Sequence, residues 1–344
     1  MMRIGCGLWL ERWLAVVGVA LALGGPAVWA AEQGAVRSEL KLVSTVGPGA
    51  IPLPRTEEWK PEMLTVYDEG KRPAAQFQYE PGKMGVSFLL FKNGSGAPDA
   101  KSCREAAIGP MMKNAGKKIT ERQDGEAKLA DGTEVATTSY LLTVAPDQGS
   151  NGRQRSLFAF AGNATTCAEM HVSSVVDTPA QRTAMRSRLK DFRPDLTYKP
   201  AALDLFLMGQ LLFKASPKMA VPYFRASLEK MPAGDANFVN PRRLATDQLV
   251  MALGVSGDVK GSRAVAEKAA AADPEYPLNY YNLACADAEE GDAASAKKHL
   301  QEAFDRKKNL IEGEKMPDPT IDDSIKKLQG DKDFWAFVQG LPKE

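Results

Sequence analysis

Histidine is almost missing from this chain: 344 residues hold two, His171 and His299. Chemistry that turns on imidazole therefore has two candidates and no more. Surplus charge of one sign is missing too. Residues 1–30 carry two of the 44 basic and one of the 43 acidic residues, so the chain without them is balanced. A balanced chain has no global field to draw in nucleic acid or an anionic membrane, which argues against both as primary partners. Beyond the N-terminus no apolar run approaches the ~20 residues of a membrane span, so no transmembrane segment is expected in the mature chain. No glycine-rich phosphate cradle occurs, and no cofactor or metal ion is expected.

What is present begins with a leader. Arg3 and Arg12 precede an apolar stretch over 13–23, and Val28-Trp29-Ala30 supplies small residues at the two positions a signal peptidase reads. The expectation is a signal peptide over 1–30, cleaved near Ala30, with a periplasmic or secreted product. An uncleaved N-terminal anchor is the alternative. Cys6 lies before the apolar stretch rather than at its end, which argues against lipidation.

Cys103, Cys167 and Cys285 remain after cleavage. In an oxidising compartment two of them are expected to pair. Cys285 falls in a helix where a small side chain must pack, which leaves Cys103 with Cys167; two independent buried thiols are the alternative. Closing that loop would stabilise the fold by about 4 kcal/mol on the loop-entropy estimate.

From 39 to 176 short runs rich in β-branched and aromatic residues read as strands: 40–43, 85–91, 135–144, 157–160 and 170–176. Turn signals divide them at Pro81-Gly82, Asn93-Gly94, Asp131-Gly132 and 149–152. A helix is expected over 100–114, shortened or kinked by Pro110. Another starts at Thr178 as N-cap, with Pro179 at its first position and Gln181 completing a capping box. This is an antiparallel α+β domain over 36–195. With its early Trp59-Lys60-Pro61 segment, paired strands around Gly132 and a last strand leading into a helix near Phe192, its layout resembles the PsbP-like fold. That resemblance implies a binding or assembly module without common catalytic apparatus.

After a linker at 193–200 the pattern becomes all-α. Gly257-Asp258 and Gly291-Asp292 lie 34 residues apart, and Leu249, Ser262, Ala266 and Ala269 repeat in register as Leu283, Ala296, Leu300 and Ala303. This period is that of a helix-turn-helix repeat. In a first helix pair, Met208-Gly209 and Leu212 take the tight-packing positions of one helix, Ala220, Phe224 and Ser227 those of the next, and Pro232 closes the unit. These residues resemble the tetratricopeptide-repeat (TPR) family. Further units begin near Arg243 and Pro277; Pro274 closes the second, Lys308 stands in that place in the third, and Asp287 replaces the third unit's large aromatic. The insertion 233–240 is expected to form an edge loop. About three helix pairs then fill 200–312, and capping helices with Phe334, Trp335, Phe337 and Val338 close the α-solenoid over 313–344. The stretch 276–341 resembles a recurrent ending of exported bacterial TPR proteins.

The resemblance implies a concave groove lined by Phe206, Gln210, Phe213, Asp247, Met251 and Tyr281, with Cys285 and Ala288. It lacks the Lys and Asn set with which chaperone-binding members grip a C-terminal carboxylate, so an apolar helix or extended protein segment is the expected ligand. The groove's alternative occupant is the chain's own N-terminal domain.

Catalytic signatures are sparse. Strand alternation puts Cys167, Glu169, His171 and Ser173 on one face. Side chains two apart lie roughly 6.6 Å from each other along a strand, whereas triad members meet at about 3 Å. Cys167 and His171, roughly 13 Å apart, could not share one zinc ion. Gly254-Val255-Ser256-Gly257-Asp258 lacks the last glycine of a nucleophile elbow, and Ser324-Ile325-Lys326-Lys327 lacks its companion motifs. The 147–152 loop has Gly149 at a calcium-ligand position and Phe158 where the bidentate Glu belongs. His299 reads as a half-exposed surface residue. The expectation is a non-catalytic adaptor or scaffold. A hydrolase or small-ligand module near Glu169, His171 and Ser173 is the alternative.

Overall fold

The computed structural model describes residues 40–54, 56–68, 71–143 and 152–342. The expected signal peptide over 1–30 and the 147–151 part of the loop compared with a calcium site lie outside the described residues. By compactness the chain divides into a sheet unit, Glu39–Ala226, and a helical unit that takes Ser227–Glu344.

The sheet unit opens with a two-stranded ribbon, β1 (Lys41–Val43) and β2 (Ala50–Pro52). Seven antiparallel strands follow: β3 (Trp59–Tyr67), β4 (Arg72–Tyr79), β5 (Met84–Lys92), and, after helix α1 (Ala100–Ala115), β6 (Ile119–Lys128), β7 (Glu134–Thr143), β8 (Arg153–Gly162) and β9 (Thr166–Ser174). Their spatial order is β3-β4-β5-β9-β8-β7-β6. Two meanders are thus joined at β5 and β9, and α1 carries the chain from the sheet centre to the far edge. The expected strands are there. β3, β4 and β6 were not legible as runs, because β3 contains Pro61 and β6 is exposed along almost its whole length, as edge strands are.

Helix α1 covers one face. Cys103 and Ile108 pack with Phe91, Tyr140, Phe158, Phe160 and Cys167. Pro110 does not shorten this helix; it sits on the exposed side, inside Ala100–Ala115. The disulfide joins Cys103 to Cys167 with Cα atoms 5.6 Å apart. Gly162 makes room for it, since a Cβ there would lie 2.5 Å from the Cys103 sulfur and 2.6 Å from the Asp99 carbonyl oxygen.

The other face buries Val86, Phe88, Leu90, Met170 and Val172, and β1 and β2 pack on it. Helix α2 (Pro179–Ser187) packs against β9. Thr178 caps it as expected, accepting from the Gln181 backbone N–H at 3.1 Å. The Gln181 side chain does not return to Thr178, as a capping box requires; it donates to the Gly82 carbonyl and to Ser174 Oγ. Next come α3 (Ala202–Ala215) and α4 (Pro217–Glu229). The Phe224 ring rests on Gly209, 2.7 Å from where a Cβ would stand, so that glycine permits the close helix contact. The compact division falls at 226/227, within the last turn of α4. Helix α3 packs on β1 and β3, and Tyr223 Oη donates to the Val43 carbonyl at 2.9 Å.

The helical unit holds α5 (Val239–Val255), α6 (Val259–Ala272), α7 (Pro277–Glu290) and α8 (Ala293–Asp305), each packed on the next. The repeated Gly-Asp pairs have a local cause. Gly257 and Gly291 turn the chain with φ of 89° and 82° at the ends of α5 and α7. Asp258 and Asp292 then cap α6 and α8, accepting from the backbone N–H of Gly261 and Ser295. Val250, Ala266 and Leu283 form the core between the hairpins. Helix α9 (Lys332–Gly340) packs on α8 with Phe334 and Val338 buried. The helix expected before it is only a 3-10 turn, Ile325–Leu328. Among the described residues no helix is long and apolar enough to cross a membrane.

Candidate functional site

The six expected groove residues are all buried, from Tyr281 at 0 % to Phe213 at 8 % exposed. Phe206, Gln210 and Phe213 lie on α3 in the sheet unit, and Asp247, Met251 and Tyr281 on α5 and α7 in the helical unit. Asp247 accepts from Asn282 Nδ2 at 2.9 Å, a pairing that satisfies both polar groups out of water. Tyr281 Oη donates to Asp322 at 3.2 Å, and the Cys285 thiol lies 3.9 Å from the other oxygen of that carboxylate. Tyr276 Oη donates to Glu314, and Lys327 pairs with Glu289. The side of α7 that bears Tyr281 and Cys285 is thus covered by the unit's own 311–328 segment, with Ile311, Met316, Ile325 and Leu328 buried.

On the sheet, Glu169, His171 and Ser173 share the α1 face, but they do not bond to one another. Register sets Ser156 opposite Ser173 and Phe158 opposite His171. His171 Nε2 accordingly meets Ser156 Oγ at 3.1 Å, and its ring stacks on Phe158 with centroids 4.0 Å apart. Ser173 Oγ reaches the Gly85 carbonyl at 3.5 Å. Burial pushes the His171 imidazole down to about 4, so it is neutral at pH 7. Ser156 is 1 % exposed, out of reach of a substrate in this arrangement. Burial pushes the Glu169 carboxyl up to about 7, with Arg72 opposing the shift.

Two polar constellations escaped the sequence reading. The first joins α6, α7 and α8. Asp287, 2 % exposed, accepts from Arg263 Nη2 at 2.7 Å and meets His299 Nδ1 at 2.6 Å, while Arg263 also reaches Glu290. His299 is therefore a partner to a buried carboxylate rather than a plain surface residue.

The second lies on the sheet face opposite His171. Arg155, 5 % exposed, donates from Nε and Nη2 to Asp177 at 2.9 Å each, and its Nη2 meets Glu121 at 2.5 Å. Arg182 on α2 grips the same Asp177 with two bonds. Hydrogen bonds from Arg155 and Arg182 hold the Asp177 carboxyl far below the usual carboxylate range. A bulge between Thr120 and Gln123 turns the exposed Glu121 toward Arg155, with φ of 53°; that conformation costs a non-glycine residue about 1–3 kcal/mol. Glu121, Gln123, Ser139, Arg155, Ser156, Leu157, Arg182, Met185 and Arg186 line a cavity of about 50 Å3. The signal in the sequence was slight: Arg155 stands among Arg153, Gln154 and Ser156 in the polar first part of β8, before Leu157-Phe158-Ala159-Phe160.

Among the described residues no group of three or more His, Cys, Asp or Glu side chains could hold a metal ion. Compared with known proteins, no family model matches this chain and no curated protein matches it.

Proposed function

We propose that this chain is an exported, non-catalytic adaptor that holds a protein or peptide segment through its tetratricopeptide-type helical part. The observation that carries this reading is the consecutive stacking of α5 to α8 on the 34-residue register, with the Gly-Asp turns forming the same C-cap and N-cap twice. A helix pair of this kind buries its stripe only against its neighbours and presents the remaining surface to a ligand. The disulfide favours an oxidising compartment.

The 311–328 segment covers the α7 face at Tyr281 and Cys285, so a partner would bind along its margin or displace it. The Cys285 thiol, half-buried and unbridged, provides the test. A thiol-linked photo-crosslinker there, photolysed in an envelope extract, should give a discrete protein adduct. The same probe on a Ser256→Cys, Cys285→Ala chain, at the exposed turn, should not. Equal labelling from both positions would remove the α7 face from consideration.

A second reading places a hydrolase or small-ligand site near Glu169, His171 and Ser173, and a carboxyl raised to about 7 inside the sheet supports it. Hydrolysis that survives His171→Ala unchanged would exclude that site.

A further inference from the structure

We propose that the cavity between β6, β7, β8 and α2 is a binding site for a single carboxylate group. Around it three guanidinium groups, those of Arg155, Arg182 and Arg186, face two carboxylates, those of Glu121 and Asp177. One monoanion closes that balance, whereas a dianion would leave excess negative charge beside Glu121 and Asp177. The buried Arg155 has capacity to receive it. Its Nε and Nη2 are used by Asp177 and Glu121, and its Nη1 makes no hydrogen bond to any described residue. The Arg186 side chain, one helical turn after Arg182 on α2, makes no ion pair with a described residue. A guanidinium edge is shaped for a planar carboxylate.

The lining fits the rest of such a ligand. Ser139 and Gln123 add polar side chains, and Leu157 with Met185 adds apolar surface for the carbon next to the carboxylate. A cavity of about 50 Å3 admits the head of a ligand and leaves its remainder outside. The turn of the exposed Glu121 at positive φ sets a protein carboxylate on Arg155 at the rim. Glu121 therefore competes with the ligand's negative charge and tunes its affinity.

The source of the carboxylate is either a free small acid or the C-terminus of a peptide, and one titration separates them. The mature full-length chain is titrated at pH 7 with sodium acetate, with an N-acetylated dipeptide acid and with the amide of that dipeptide, following the Nε–H resonances of Arg155 and Arg182. Saturable shifts with the acids and none with the amide are expected. Arg186→Gln, at an exposed side chain with no ion pair to a described residue, should weaken binding about tenfold, and Glu121→Gln should strengthen it. Tighter binding of the dipeptide acid than of acetate identifies a peptide terminus; equal binding identifies a small acid. Absence of saturable shifts with either acid overturns the proposal, as does equal affinity of Arg186→Gln and wild type or weaker binding by Glu121→Gln.

Discussion

His299 Nδ1 stands 2.6 Å from Asp287 Oδ2, across the interface of α7 and α8. Asp287 stands 34 residues after Leu253, a buried apolar residue of the preceding hairpin. The space is filled instead by charge: Arg263 from α6 completes the group at 2.7 Å. Removing one member of a buried ionic group leaves the others uncompensated. Asp287→Ala is expected to destabilise the helical unit by about 3–5 kcal/mol, read from urea denaturation by circular dichroism. A combined Asp287→Leu, His299→Leu, Arg263→Met chain should recover most of the loss, because packed apolar groups replace buried ion pairs at little cost. If the triple variant is no more stable than the single one, packing rather than charge decides this interface.

The Cys103–Cys167 bridge clips α1 to the sheet. Its reduction should lower the stability of the sheet unit by about 4 kcal/mol and leave the helical unit's unfolding transition unchanged in scanning calorimetry. Non-reduced peptide mapping should show these two peptides linked and Cys285 unlinked. Gly162→Ala is expected to reproduce part of the loss with the bridge intact, since the added methyl meets the sulfur at 2.5 Å.

Glu169 makes stability depend on pH in a direction opposite to most carboxylates. Its folded pKa, about 7, lies above the usual 4.5, so the folded chain holds a proton that the unfolded chain has released. Stability is then greatest below about pH 4.5 for this group and falls as pH rises toward 7. Glu169→Gln should stabilise the protein at pH 8 by on the order of 2 kcal/mol and leave pH 4 nearly unaffected. Burial of the neutral His171 acts the other way, costing stability as pH falls from 6.5 toward 4. Comparing melting temperatures of Glu169→Gln and His171→Ala across this range separates them; a Glu169→Gln curve parallel to wild type would refute the assignment.

The contact of Gly209 with the Phe224 ring admits no side chain at 2.7 Å. Gly209→Val should cost about 1–3 kcal/mol through overpacking. Gly209→Val combined with Phe224→Leu should cost less than the sum of the two single substitutions. Strict additivity would mean that the two helices part elsewhere.

Local signals were legible where a few neighbouring residues settle the geometry. Thr178 before Pro179 and the two Gly-Asp pairs each specify a helix end within one turn of chain. The helix pairs follow from period, and the Cys103–Cys167 pairing follows from elimination once an oxidising compartment is assumed. The charged strand β6 was not legible, because an edge strand pairs on one side and needs no apolar pattern.

The sequence by itself determined the α+β and helical halves, the repeat turns, the caps and which residues share the His171 face. Only the tertiary structure decided what each of those residues meets. Register between β8 and β9 gives His171 to Ser156 instead of Ser173, and a bulge turns Glu121 toward Arg155. Helix packing brings Asp287 to His299 and Arg263, and compactness assigns α3 to the sheet unit. Alternation and helical period are properties of one segment, whereas these pairings depend on how separate segments are offset against each other. That offset is fixed only when the core closes.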